Sequence, residues 1–116
     1  SLQPSCPLVL WDLAGPLQAL ERHSEALVLY RRIVRTPLER LAYGRCGEGL
    51  ARARGLVADS YYRVSISLDA LGRHRQALAA FNRHMSLRGP GCHSIYRLRD
   101  LSVPEPSTSG RRVPVA

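Results

Sequence analysis

The residues best equipped for chemistry are the cysteines Cys6, Cys46 and Cys92, together with His93 beside the last of them. An odd, widely spaced set with no CxxC pair reads as reduced intracellular thiols, not as a disulfide framework. Cys92 and His93 are adjacent, too close for both to serve well as ligands of one metal, and nothing nearby completes a site. The stretch GRCGEG at 44–49 has the look of a glycine-rich phosphate loop. It lacks the lysine and the preceding strand that such a loop needs, so a glycine-weakened helix is expected. A nucleophile elbow and a histidine pair at helical spacing are also missing from the sequence. No catalytic residue, metal ligand or cofactor is assigned, and the chain is not expected to be an enzyme.

The 116 residues carry a formal charge of +8, and all 17 basic residues are arginine. That balance favours acidic protein surfaces, phosphates or nucleic acid as partners. The arginines are spread along the chain, which equally suits stems that cover apolar helix surface. No segment is long and apolar enough to span a membrane. The apolar run around Leu8 to Leu13 is interrupted by Pro4, Pro7 and Asp12, and no basic residue precedes it, so it is not read as a secretory signal. Ser1 stands where an initiator methionine is usual, which points to a fragment or a processed chain.

The elements that must position any functional side chain are helices. LVLWDLAG and PLQALERH form a kinked or divided helix, because Pro16 supplies no amide donor and crowds the preceding turn. SEALVLYRRIVR at 24–35 is a helix with Ser24 as cap and Ala26, Leu27, Tyr30, Ile33 and Val34 as its apolar stripe. Thr36-Pro37-Leu38-Glu39 starts another, weakened by Gly44, Gly47 and Gly49 and bent or ended at Gly55. The clearest pattern lies at 58–88, where Tyr61, Val64, Leu68 and Leu71 precede Gly72 and Ala77, Leu78, Phe81 and Met85 follow it. Gly72 suits a left-handed helix end, so these two helices fold back as an antiparallel hairpin. After Gly89-Pro90-Gly91, SIYRLRDL predicts a short helix capped by Ser94, and the remainder, without periodicity, predicts a disordered tail.

ALERHSEALVLYRRI at 19–33 aligns with ALGRHRQALAAFNRH at 70–84, displaced by 51 residues. Small residues where two helices touch and an aromatic late in the second helix make 58–88 resemble a tetratricopeptide repeat. The displacement is one and a half times that family's period of roughly 34 residues. On this resemblance Tyr61, Ser65, Gly72, His74, Ala77 and Phe81 take the repeat's aromatic, small and turn positions. Ala26 and Tyr30 match in a first repeat at about 7–40, where Glu21 replaces the turn glycine, and Tyr43, Gly44 and Cys46 form a half-matched middle repeat. His23 and His74 then hold equivalent turn positions, and Trp11 is either core or a partner hot spot.

The resemblance implies a concave groove, lined by first helices, that receives an extended peptide or partner helix. In the last repeat its candidate residues are Asp59, Tyr62, Arg63, Ile66 and Asp69, with Tyr62 available for stacking and Arg63 for bidentate pairing with a carboxylate. Arg63 alone matches the carboxylate clamp by which one subset of the family holds chaperone tails, so that activity is not expected.

The expected molecule is therefore all-α: an irregular stretch at 1–7, helix hairpins stacked as a short α-solenoid at 8–101, and a disordered tail at 102–116. It is a non-catalytic protein-interaction module or scaffold, binding a protein or peptide of acidic character and residing in the cytoplasm or nucleus. The alternative is an arginine-rich, nucleic-acid or anionic-surface binding domain of a larger regulatory protein. An incomplete stack would leave an apolar end exposed, to be covered by a helix at 94–101 or by self-association.

Overall fold

A computed structural model describes residues 6 to 104, which contain five α-helices and no strand. The helices are α1 (Pro7–Ala19), α2 (His23–Arg35), α3 (Leu38–Tyr43), α4 (Leu50–Ala70) and α5 (His74–Leu87), followed by a 3-10 turn at Leu98–Asp100. α1 packs on α2, α4 packs on α5, and α2 packs on α4, so two antiparallel hairpins lie side by side. Their shared core brings Leu10 and Ala14 of α1 against Ala26, Tyr30 and Ile33 of α2, with Val64, Leu68 and Ala77 completing it from the second hairpin.

The sequence repeat is a repeat of structure. Glu21 adopts a left-handed φ of 65° and Gly72 one of 82°. In the first turn Leu20 N–H donates to the Pro16 carbonyl and Arg22 N–H to that of Leu17; in the second, Leu71 donates to Ser67 and Arg73 to Leu68. Every donor and acceptor is displaced by the same 51 residues as the sequence match. Ala26 and Ala77, both fully buried, sit where α2 and α5 cross their partners. A side chain larger than a methyl at either position would push the two backbones apart.

Four local expectations are corrected. α1 continues through Pro16 as one helix and is not divided there. Proline removes one hydrogen bond near the end of the helix, and the buried side chains of Leu10, Ala14 and Gln18 keep it packed on both sides of that point. Ser24 is not the cap of α2, which begins at His23 with no side-chain cap, and the Thr36 hydroxyl donates back to the Arg32 carbonyl. There is no middle repeat: α3 is a six-residue helix that lies against the early part of α4, and Leu41, Ala42 and Ala53 form a small second core. α4 begins at Leu50, and Gly55 lies inside it as a buried residue instead of ending it.

The cysteine reading is corrected as well. Cys6 and Cys46 are joined in a disulfide, their Cα atoms 5.6 Å apart, and Cys92 alone is free. Sequence spacing concealed this pair, because α3 folds back and carries Cys46 to the start of α1. No helix among the described residues is long and apolar enough to cross a membrane. The expected tail begins irregularly at Ser102 to Pro104, with Pro104 buried. Its remainder at 105–116, which holds Ser107, Thr108 and Ser109, lies outside the described residues, as does most of the expected irregular N-terminus.

Candidate peptide-binding face

The candidate residues Asp59, Tyr62, Arg63 and Ile66 fall on one face of α4, since a helix turns about 100° per residue. That face already holds a segment of the same chain. After α5, Gly89 to Gly91 make a turn, and residues 92 to 96 run without helical structure alongside α4. The helix expected at 94–101 is thereby reduced to Leu98–Asp100. The amides that a helix would use are committed elsewhere. Ile95 N–H donates to Asp59 Oδ2 at 3.0 Å and Tyr96 N–H to Ser94 Oγ at 3.1 Å.

The contacts advance along both segments in the same direction. His93 N–H donates to the Ala51 carbonyl at 3.0 Å. One turn further along α4, a β-carbon on Gly55 would collide with the His93 backbone. This is the packing reason for a glycine inside α4: the incoming chain needs the space a methyl would fill. The next turn carries Asp59, 3% exposed, whose Oδ1 accepts the Ser94 hydroxyl. Beyond it, the Tyr96 hydroxyl accepts from Arg63 Nε at 2.5 Å. Ala51, Gly55, Asp59 and Arg63 are each four residues apart and form a single stripe.

Tyr96 is the anchor of the segment. Its ring meets Tyr62 edge-on at 4.8 Å and lies 6.4 Å from His84. The Arg63 guanidinium is 5.6 Å from the Tyr96 ring centre and 5.8 Å from that of Trp11. From the other side Arg88 donates to the Tyr96 carbonyl at 2.7 Å and to Ser94 Oγ at 3.0 Å. Fully buried His84 braces this corner, its Nδ1 donating to the Ala58 carbonyl at 2.6 Å and its Nε2 accepting from Arg88 at 3.2 Å.

Arg63 also ties the face to the first hairpin, donating to Gln18 Oε1 at 2.8 Å. Gln18 Nε2 donates in turn to the Arg63 carbonyl and to Ser67 Oγ, and Ser67 pairs with His23 Nδ1 at 3.0 Å. His23 pairs with Glu21 of its own turn at 3.1 Å, the structural turn role expected of it, and through Ser67 it also links the two hairpins, which the sequence reading did not anticipate. His74 closes its own turn by pairing with Asp69 Oδ1 at 2.5 Å. Asp69 is accordingly a turn residue here, and half-buried Ile66 flanks the occupied part of the face. Trp11 packs edge-on to Tyr30 at 5.6 Å beneath Arg63, partly buried against the core, in keeping with its expected core role.

Burial sets the electrostatics. It raises the Asp59 carboxyl above its usual value, opposed by the Ser94 and Ile95 hydrogen bonds and by His84 and Arg88 nearby. Burial also pushes the Tyr96 phenol up to about 12, against the pull of Arg63. The Cys92 thiol is raised by burial and then by Asp59. Among the described residues no group of three or more His, Cys, Asp or Glu side chains is placed to hold a metal ion.

Sequence reasoning missed Ser94 and Tyr96 because Ile95, Leu98 and Leu101 share helical spacing. The period-two alternation at 94–97, with Ser94 and Tyr96 half-buried and Ile95 and Arg97 exposed, is a feature of the structure that the residue types do not signal, since apolar Ile95 faces outward. No protein-family model, curated protein or solved structure matches the chain.

Proposed function

We propose that this chain is a non-catalytic protein-interaction module of tetratricopeptide-repeat type, whose α4 face binds an extended peptide. The observation that carries the reading is the chain's own residues 93 to 96, held on that face through backbone groups and one aromatic anchor. Side chains of α4 and Arg88 that hold the segment's backbone, together with one aromatic anchor, are groups that could hold an extended peptide in the same way. The repeated turn geometry at Glu21 and Gly72 supports the family assignment. On this reading the partner segment resembles the resident one: a small hydroxyl residue, one residue facing solvent, then an aromatic.

The test weakens the resident segment in the intact chain with Ser94→Ala and Tyr96→Ala, then adds a labelled peptide of sequence 92–101 bearing Ser for Cys92. Fluorescence anisotropy should report binding to this variant, little binding to the unsubstituted chain, and loss of binding when Arg63→Glu is added. Equal binding to all three chains would refute the face as the peptide site.

The Cys6–Cys46 bond weighs against the cytoplasmic or nuclear setting expected from the sequence, since such bonds persist in oxidising compartments. Thiol alkylation in intact cells should find both cysteines blocked; labelling of both would place the chain in a reducing compartment.

A further inference from the structure

A second surface lies on the opposite side of α4 from Asp59 and Arg63. Tyr61, Val64 and Leu68 point about 180° away from that stripe, by the same 100° per residue. With Val34 of α2 and Ala79 and Ala80 of α5 they floor an open groove of about 460 Å³ between α2 and α5. Its rim carries Arg31 and Arg35 on one side and Arg83 on the other. An adjoining depression of about 330 Å³ shares Arg31 and Arg35 and adds Arg73 beside exposed Val28. Neither wall contains an aspartate or glutamate. Arg31, Arg35 and Arg73 make no ion pair or side-chain hydrogen bond among the described residues, while Arg83 rests over the Tyr61 ring at 5.8 Å.

We infer that this groove docks an acidic amphipathic helix of a partner protein, its apolar stripe on Val34, Val64 and Ala80 and its carboxylates facing Arg31, Arg35 and Arg83. Charge complementarity selects the sign of the partner: uncompensated arginines line both flanks of an apolar floor. Arg31 and Arg35 are one helical turn apart, matching carboxylates one turn apart on a docked helix. Ala79 and Ala80 keep the α5 wall low, which admits a cylinder seated between two helices. A nucleic-acid backbone would use the arginines and leave the apolar floor without a partner, so a helix fits both halves of the surface.

The experiment uses the full oxidised chain and a labelled helical peptide with leucines at i, i+3, i+4 and i+7 and glutamates on both flanks. A scrambled peptide of identical composition and a single-stranded RNA oligonucleotide accompany it. The amphipathic peptide should bind more tightly than either control. Arg35→Glu with Arg83→Glu should weaken it roughly tenfold. Ala79→Arg should weaken it too, by blocking the floor, although it adds a positive charge. All three positions are exposed, so the variants should keep the wild-type circular dichroism. Three results would overturn the inference: equal affinity for the scrambled peptide, tighter RNA binding that Ala79→Arg strengthens, or no measurable peptide binding.

Discussion

Arg63 is spent on contacts inside the molecule. It donates to Gln18 and Tyr96 and stacks over two rings, so one side chain joins both hairpins to the final segment. A residue that reads as a free recognition cation from sequence becomes available to a partner only when Tyr96 leaves. The Tyr96 phenol gives this contact a pH signature. Its ordinary value is 10.0 and the folded value is about 12, so the folded chain retains the proton where the unfolded chain loses it. The stabilising contribution is fully present below pH 10.0 and disappears as pH climbs through about 12. Urea unfolding across this range should show wild-type stability falling more steeply than that of Tyr96→Phe; parallel curves would contradict the buried phenol. Asp59 has the same sign: burial raises its carboxyl, so its contribution weakens as pH rises from the ordinary 3.8 through the higher folded value.

At the level of elements, the two hairpins differ chiefly in how their turns meet one backbone requirement. Gly72 adopts the left-handed conformation without a β-carbon, whereas Glu21 adopts it with one. Glu21→Gly should therefore raise stability by about 1 kcal/mol, and Gly72→Ala should lower it by a similar amount, read as opposite shifts of the urea midpoint. Shifts in the same direction would argue against a common turn. The helices at 24–35 and 58–88, the turn at Gly72 and the hairpin pairing were legible because apolar spacing and turn chemistry are local signals. The start of α3 at Leu38 was legible in Thr36-Pro37-Leu38-Glu39, but its end at Tyr43 and the irregular segment at 92–97 were not, because these are set from outside. α3 rests on Leu41 and Ala42 against Ala53, and the final segment surrenders its helical amides to Asp59 and Ser94. Asp59, Tyr62 and Arg63 were legible as one face of one helix; that the same chain would supply its first occupant was not.

At the scale of the whole molecule, the Cys6–Cys46 bond encloses α1, α2 and α3 within a span of 40 residues and leaves α4 and α5 outside it. Closing a loop of that length should stabilise the fold by about 4 kcal/mol through the unfolded state. Urea unfolding with and without reductant, and of the Cys6→Ser, Cys46→Ser chain, should each show a loss of that order. An unchanged midpoint would mean that the bond closes no loop relevant to folding. The exposed Cys46 side leaves the bond within reach of reductants, so the comparison needs no denaturant to begin it.

The run from Arg88 to Gly91 is also a tether, and its shortness has a kinetic and thermodynamic meaning. A ligand fixed by a few residues faces its site at an effective concentration on the order of millimolar. If the face binds peptides as proposed, a free peptide competes against that local supply, and its apparent affinity falls in proportion to the small fraction of time the face stands open. Affinities measured on chains lacking the Tyr96 anchor will thus exceed those of the intact chain. A partner that engages two sites at once, or one that first draws Tyr96 away, escapes the handicap.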